Sequence, residues 1–187
     1  MSDPGASLGW RAARGWGAVA DEAERLGHDR PLCVLLLPVP LERFELRERA
    51  EDLLTAPGVA AVDPPRLSYS AASRLGEAFA DGLSVVQARR LRLPGHPRAL
   101  VLFAPLQYPL ARALSGVHPD AELWYGPVAE AATERERSLH ELASGRAALR
   151  FEHSSAPAHT QNLPLWERME ALGIESGRLG SERSDVR

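Results

Sequence analysis

Short apolar runs alternate with longer amphipathic segments along most of the chain. Four of these runs are followed within two residues by a proline: Pro38, Pro64, Pro105 and Pro127. A short and almost wholly apolar run is typical of a strand that is buried on both faces of a parallel sheet. The pattern therefore predicts four strands, with a fifth expected after them, at residues 32–37, 59–62, 99–104, 121–125 and 147–151.

The segments between the runs repeat apolar residues every three or four positions, which is the spacing of an amphipathic helix. In the longest segment, the predicted apolar stripe consists of Leu75, Phe79, Leu83 and Val86. In the segment 41–58, Glu and Arg alternate on the face opposite the leucines, so we expect these charged side chains on the surface. The helices are expected at residues 18–26, within 41–58, and at 71–91, 109–115, 128–143 and 163–172.

Strands that alternate with helices predict right-handed βαβ units, which place helices on both faces of the sheet. The predicted fold is α/β: a single three-layer Rossmann-like domain with a 4–5 stranded, mostly parallel sheet. A chain of 187 residues, 44% of them hydrophobic, suits one domain of this kind. We expect the domain at 18–175, a flexible or partly helical arm at 1–17, and a disordered tail at 176–187.

Charge and hydropathy argue against two classes of partner. The formal net charge is −3, and charged residues make up 25% of the chain, which does not favour nucleic-acid binding. The longest apolar run, residues 32–37, is far shorter than the roughly 20 residues that a membrane helix needs. The first 25 residues contain no apolar stretch that resembles a signal peptide. We therefore expect a cytoplasmic protein without a membrane span.

The basic residues exclude several kinds of chemistry, because all 22 of them are arginine. A Schiff base requires lysine, so pyridoxal phosphate is excluded as a cofactor, and the phosphate loop of P-loop NTPases lacks its lysine. PVPLERF follows the first strand in place of a glycine fingerprint, so a classical NAD site is not expected, and no cofactor is predicted.

The single cysteine, Cys33, allows no internal disulfide and is expected to be buried.

In an open α/β sheet, ligands bind beyond the carboxyl ends of the strands. Polar residues that follow the predicted strands are therefore the site candidates, and the prolines stiffen the loops that contain them. Asp63 and His153 are the catalytic candidates. The candidates for ligand binding are Arg66, Ser68, Tyr69, Gln107, Tyr108 and Tyr125. His96 and His118 precede strands, so we expect them at the opposite edge.

A hydrolase triad is one alternative at this edge. The chain has no G-x-S-x-G nucleophile motif. Because triads are defined by geometry rather than by sequence order, Ser68 or Ser70 could still converge with His153 and Asp63.

A metal site is a second alternative. His153 and His159 lie six residues apart in a loop, and Glu136 and His140 are four apart on a predicted helix. Such pairs occur in zinc sites, but they equally suit exposed contacts, and we expect no metal.

The motifs PLCVLLLPVP, VAAVDPP, ALVLFAPLQYPLARAL and ELWY lie within residues 31–128. With these motifs, about half of the chain resembles the N-terminal Rossmann-like half of two-domain glycosyltransferases that use nucleotide sugars. In that family the donor binds chiefly in a second domain, through paired glutamates spaced E-x7-E. Glu134 and Glu141 are one residue too close to match, and too few residues follow 128 for a second domain. The resemblance implies a polar ligand and assigns no catalytic residue.

Two functional hypotheses follow. The first is a glycosyltransferase-like binding domain for a nucleotide, sugar or other polar small molecule, which predicts a concave pocket with Asp63, Tyr69 and Tyr108. The second is a non-catalytic accessory domain that docks a partner protein, which predicts a filled strand-end edge and an exposed apolar patch. Whether the protein is an enzyme is left open by the sequence.

Overall fold

The computed structural model describes residues 30–64, 76–91, 93 and 95–176. Within these ranges, five strands form one sheet in which every pairing is parallel. The strands are β1 (Pro31–Leu36), β2 (Val59–Val62), β3 (His96–Leu102), β4 (Glu122–Tyr125) and β5 (Leu149–Arg150). Their order in the sheet is β2-β1-β3-β4-β5.

Helices follow the strands and cover both faces of the sheet. They are α1 (Arg47–Leu54), α2 (Glu77–Arg90), α3 (Tyr108–Val117), α4 (Glu134–Arg146), α5 (Ala158–Gln161) and α6 (Leu163–Ala171). Two 3-10 turns, Leu41–Arg43 and Pro105–Gln107, precede α1 and α3. The predicted three-layer Rossmann-like α/β fold is confirmed, and the strand order is that of the doubly wound flavodoxin-like sheets.

Side chains alternate between two cores, as the pleat of a strand requires. From β1, Cys33 and Leu35 face the layer of α1 and α6, while Val34 and Leu36 face the layer of α2, α3 and α4. The residues 32–37 are all completely buried. Burial of a leucine side chain contributes about 1.5–3 kcal/mol, so this run stabilises both halves of the molecule.

Several predicted element boundaries were wrong. The third strand begins at His96 instead of residue 99, because His96 and Pro97 continue the parallel pairing with β1. The helix predicted from residue 128 begins at Glu134, where Thr133 and Glu136 form a capping box. These boundaries are set by pairing and capping, which the apolar pattern does not show.

The predicted apolar stripe of the long helix is only partly buried. Phe79 is 53% exposed and Val86 is 44% exposed, whereas Ala88 and Leu91 are the buried residues among the described side chains of this segment. The prediction was therefore wrong for Phe79 and Val86, and Leu75 lies outside the described residues.

The predicted arm (1–17), the helix at 18–26 and the segment 177–187 of the predicted tail also lie outside the described ranges. Among the helices that the structure describes, none has the length and apolar character required to cross a bilayer.

Candidate functional site

The carboxyl ends of the five strands meet along one edge of the sheet. The parallel register places Leu36 beside both Val62 and Leu102, and Leu102 beside Tyr125. The residues that follow these strands therefore lie along a common edge. Arg66, Ser68 and Tyr69, together with the triad candidate Ser70, lie outside the described residues.

Gln107 fills the point at which a doubly wound sheet ordinarily binds its ligand. The chain leaves β1 and β3 toward opposite faces, so the crevice for a ligand lies between their carboxyl ends. The Gln107 side-chain oxygen accepts hydrogen bonds from the backbone N–H groups of Phe103 (2.7 Å) and Ala104 (2.9 Å). Its amide nitrogen donates to the carbonyl of Leu36 at 2.5 Å, and the residue is completely buried. The side chain thus joins β1 to β3 instead of facing a ligand.

Tyr125 faces the core beneath α4. Only 1% of the residue is exposed, and its hydroxyl lies 3.0 Å from Nδ1 of His140. Burial raises the pKa of Tyr125 to about 12. The hydroxyl therefore stays protonated over the physiological range and is engaged by a helix side chain.

His153 is held by two hydrogen bonds that occupy both ring nitrogens. Arg49 Nη1 donates to Nδ1 at 2.8 Å, so Nε2 bears the hydrogen and donates to the Gly126 carbonyl at 2.8 Å. Burial lowers the pKa of His153; the Gly126 carbonyl opposes this, and the Arg49 charge adds to the lowering. With no free lone pair, the ring cannot serve as a general base in this arrangement.

Arg49 is the centre of this cluster, although the sequence predicted it on the surface of its helix. It is 3% exposed, and burial lowers the pKa of its guanidinium to about 10. The guanidinium donates to Asn162 Oδ1 at 2.7 Å and to the carbonyls of Glu152 and Gln161 at 2.9 Å each. It also lies 4.8 Å from the centre of the Phe151 ring. These contacts fasten the segment after β5 to α1.

The triad candidates are kept apart by the topology. Asp63 follows β2 and His153 comes shortly after β5, and these are the two edge strands, with three strands between them. At about 4.8 Å per strand, the two residues lie on the order of 15–20 Å apart. The structure therefore does not bring Asp63 and His153 into one catalytic group.

The paired residues considered for a metal have other roles. The Glu136 carboxylate accepts from the backbone N–H of Thr133 at 2.8 Å and so caps α4, while His140 contacts Tyr125. His159 is exposed on α5. Among the described residues, no group of three or more His, Cys, Asp or Glu side chains is arranged to hold a metal ion.

His96 and His118 lie at the amino ends of β3 and β4, at the edge where the sequence placed them. Their ring centres are 6.0 Å apart. Burial lowers the pKa of His118, and the neighbouring His96 adds to this effect. Cys33 is completely buried, and burial raises the pKa of its thiol far above the usual range.

Asp63 is the site candidate whose raised pKa lies closest to neutral pH. The carboxyl group is partly buried just beyond β2, and its pKa is raised to about 6, first by burial and then by the nearby charge of Glu42. This value allows the group to change charge slightly below neutral pH.

The pH dependence of stability tests that raised pKa. A carboxyl group with a higher pKa in the folded protein binds its proton more tightly there, so stability falls as the pH rises from about 4 to about 6 and stays lower above that. Because solvent partly screens the Asp63 carboxylate, we expect the free energy of unfolding to fall by about 1 kcal/mol over this pH range. In urea titrations at about pH 4 and pH 7, Asp63→Asn should lack this decrease. An identical pH dependence in both proteins would show that Asp63 titrates normally.

A groove that the sequence did not predict runs between α3 and α4. One side is a single stripe of α3: Tyr108, Arg112, Ser115 and Gly116. The other side is a stripe of α4: Arg135, Ser138, Leu139, Leu142 and Arg146. These spacings of three and four residues place each set on one helix face. The α3–α4 groove consists of two cavities of about 470 Å³ and 130 Å³ that share Tyr108 and Arg112.

The smaller cavity contains a carboxylate between two guanidinium groups. Asp81 of α2 lies 3.6 Å from Nη2 of Arg112 through one oxygen and 3.7 Å from Nη2 of Arg135 through the other. Both separations are longer than a normal hydrogen bond. The side chain of Arg135 is 16% exposed, and that of Arg112 is 55% exposed. Asp81 therefore bridges α3 and α4, because it contacts one arginine of each helix.

The larger cavity extends toward the amino ends of β4 and β5. Its walls include Pro119, Ala121 and Leu123, and Arg146 lies at its far end. Among the described residues that line it, Glu122 has the one carboxylate, which is bound by the guanidinium of Arg168 and accepts a hydrogen bond from Trp124 Nε1 at 2.9 Å. These hydrogen bonds, the one from Arg168 foremost, lower the pKa of Glu122. The Glu122 carboxylate is therefore already paired with an arginine that does not line the cavity.

The fold and the groove together define a doubly wound α/β domain with an arginine-lined groove in one of its helix layers. Comparisons with protein-family models, with curated proteins and with solved structures found no match to the chain.

Proposed function

We propose that this domain binds a polar small molecule, such as a nucleotide or a sugar, in the α3–α4 groove. The ligand class is the one implied by the resemblance to the N-terminal half of glycosyltransferases, and a cytoplasmic location belongs to the same proposal. The observation that supports it most is a cavity of about 470 Å³ that shares Tyr108 and Arg112 with a smaller cavity. Cavities of roughly 300–1,000 Å³ are the usual size for small-molecule sites.

The lining of the groove suits a ligand that has both apolar and polar parts. Leu123, Ala121 and the buried ring of Tyr108 provide apolar surface, while Arg112 and Ser138 provide hydrogen-bond donors. Ligand sites commonly combine apolar surface with polar groups that orient the ligand. Tyr108 is the residue that connects this groove with the ligand-binding candidates of the sequence.

Binding, rather than catalysis, is the activity that the geometry supports. Asp63 and His153, the two catalytic candidates, do not line the groove. The groove offers arginine, serine and tyrosine side chains, which bind and orient a ligand, and its two carboxylates are both paired with arginine.

A pair of glycine substitutions tests the location. Gly116 lines the groove, and Gly145 of α4 does not; a Cβ at either position would meet no atom within 4 Å. Both glycines therefore accept tryptophan without a clash at Cβ, but only Gly116→Trp fills the groove. A thermal-shift screen should find nucleotides, nucleotide sugars or sugars that stabilise the wild type. At about 100 times the dissociation constant, the gain is about 2.7 kcal/mol. Gly116→Trp should lose that gain.

Gly145→Trp is the matched control and should keep the full ligand-induced shift. A wild-type protein that no compound stabilises would contradict the proposed function. A shift that survives Gly116→Trp would place the ligand elsewhere.

An accessory domain that docks a protein is the second candidate, because α2 exposes apolar side chains. Phe79, Val85 and Val86 are 53%, 41% and 44% exposed. If a second copy of the chain is the partner, sedimentation velocity should show concentration-dependent association that the double variant Phe79→Ser, Val86→Ser abolishes. A wild type that sediments as a monomer at every concentration would contradict self-association.

A further inference from the structure

We propose that Arg49 and His153 form a pH-sensitive switch, in which protonation of the His153 imidazole releases the segment 152–162 from α1. The segment follows β5, contains α5 and ends directly before α6. None of its residues lines the α3–α4 groove. The switch is therefore a property of the fold beyond the proposed function and does not depend on it.

The contacts of His153 fit only a neutral imidazole ring. Arg49 Nη1, which can only donate, lies 2.8 Å from Nδ1, and the Gly126 carbonyl, which can only accept, lies 2.8 Å from Nε2. In a protonated ring, the hydrogen on Nδ1 would point at an N–H group of the guanidinium, and two positive charges would be in direct contact. The hydrogen bond from Arg49 to His153 therefore exists only while the ring is neutral.

The acceptors around Arg49 do not offset a second positive charge. Among the described residues, the guanidinium donates to Asn162 Oδ1, to two backbone carbonyls and to the His153 ring, and all of these acceptors are neutral. The carboxylate of Asp52 accepts from Asn162 Nδ2 at 2.8 Å, one contact further away. Because Arg49 is almost completely buried, water cannot screen the repulsion from an imidazolium in this place.

The charged groups near His153 come from α1, from the loop before it and from the segment itself. Arg49 of α1 repels an imidazolium, whereas Glu45 attracts it from an exposed position before α1. The side chains of Glu152 and His159, in the segment, are exposed, and the loop after β4 contributes an uncharged carbonyl. Burial lowers the pKa of His153 and Arg49 adds to this, against the opposing effects of that carbonyl and Glu45.

Mild acid is the condition that opens this contact. A histidine whose pKa is lower in the closed form than in the open form binds its proton more tightly when the segment is released. Its stabilising contribution is complete above the ordinary histidine value of about 6.5 and is lost as the pH falls through the lowered pKa. The switch is therefore closed at neutral pH and opens below about pH 6.

The segment 152–162, rather than α1, is the part that moves. Leu53 anchors α1 in the core, whereas α5 has no buried residue. The Gln161 side chain accepts from the N–H of Ser154 at 3.2 Å and donates to the carbonyl of Ala156 at 2.6 Å, so the segment is held together from within. Loss of the guanidinium contacts would therefore release the segment as a unit.

Hydrogen–deuterium exchange of the full chain at pH 7 and pH 5, corrected for the intrinsic effect of pH on exchange, tests the switch. Peptides from 152–162 should lose protection at pH 5 by about threefold or more, while those from β1 and β3 keep theirs. His153→Gln should abolish this response, because its amide can accept from Arg49 and donate to Gly126 but does not titrate. His159→Gln, at an exposed position of α5, is the matched control and should respond as the wild type does.

NMR of the imidazole nitrogens provides a second measurement that needs no substitution at the switch. In the wild type at pH 7, the His153 ring should show the tautomer with its hydrogen on Nε2. On titration, its pKa should lie below that of the exposed His159. A hydrogen on Nδ1 at neutral pH, or a pKa equal to or above that of His159, would overturn the proposal.

Three outcomes of the exchange experiment would also contradict the switch. Equal protection of 152–162 at the two pH values would show that acid does not release the segment. An acid response that persists in His153→Gln would assign the opening to another titrating group. If β1 and β3 lose protection together with the segment, acid unfolds the domain as a whole.

Discussion

Arg49→Met is expected to lower the free energy of unfolding by about 3–4 kcal/mol. Methionine nearly fills the space of the arginine stem but leaves four acceptors without a donor: His153 Nδ1, Asn162 Oδ1 and the carbonyls of Glu152 and Gln161. Each unsatisfied buried acceptor costs about 1 kcal/mol or more. Chemical denaturation at neutral pH, with intrinsic tryptophan fluorescence as the signal, measures the change.

Arg47→Met on the same helix is the matched control. Arg47 is exposed and forms an i,i+4 ion pair with Glu51 at 2.7 Å, so its loss should cost less than about 0.5 kcal/mol. Arg49→Lys keeps the charge but cannot reach acceptors on several sides, and its stability should lie between those of the wild type and Arg49→Met. Equal stability of the Arg49→Met and Arg47→Met variants would contradict the structural role given to Arg49.

Gln107→Leu is expected to cost about 3–5 kcal/mol, because it leaves three buried backbone groups without partners. The N–H groups of Phe103 and Ala104 and the carbonyl of Leu36 all depend on this amide. Because leucine has nearly the same volume as glutamine, the lost stability reflects the missing hydrogen bonds more than altered packing. Thermal and urea unfolding of the variant, compared with the wild type, provide the test.

Two further variants sharpen the result for Gln107. Gln87→Leu, at a partly exposed position of α2, should change stability by less than about 0.5 kcal/mol. Gln107→Glu keeps the acceptor but loses the donor to Leu36, so it should be destabilised at neutral pH and recover part of the loss in acid, where the carboxyl group is protonated. A Gln107→Leu variant as stable as the control would show that the crevice between β1 and β3 is not closed in the way described.

The strands and the fold class could be predicted from the sequence because the apolar runs are unambiguous. Residues 32–37, for example, form a short apolar run that ends at a proline, and residues 32–36 lie in the internal strand β1. The strand order could not be predicted, since the runs are chemically alike and nothing local shows that β1 lies between β2 and β3. The edge at which the carboxyl ends of the strands meet could be predicted from parallel pairing. The contacts that each side chain makes at this edge could not.

The roles of Arg49 and Gln107 depend on partners far along the chain. Arg49 looks like one more charged residue in an alternating Glu and Arg pattern, and its acceptor Asn162 is 113 residues away. Gln107 donates to the carbonyl of Leu36, 71 residues earlier. Local periodicity contains no information about such contacts, so the sequence placed one residue on the surface and the other in a ligand site.

The residues that line the α3–α4 groove could be predicted only in part from the sequence. Tyr108, Arg112 and Ser115 recur at helical spacing, as do Arg135, Ser138 and Leu142. Each set lies on one face of a helix. The two faces oppose each other because of the order of β3, β4 and β5, which the sequence does not show. Asp81 joins them from a third helix, which no motif indicates.

The most direct test of the groove is a two-dimensional NMR titration of the full chain with ADP and UDP. The backbone amide signals of Arg112 and Ser138, on facing sides of the groove, should shift with ligand concentration. Those of Phe103 and Ala104, which Gln107 holds at the strand ends, should stay in place. Shifts confined to Phe103 and Ala104, with none along α3 and α4, would contradict the account.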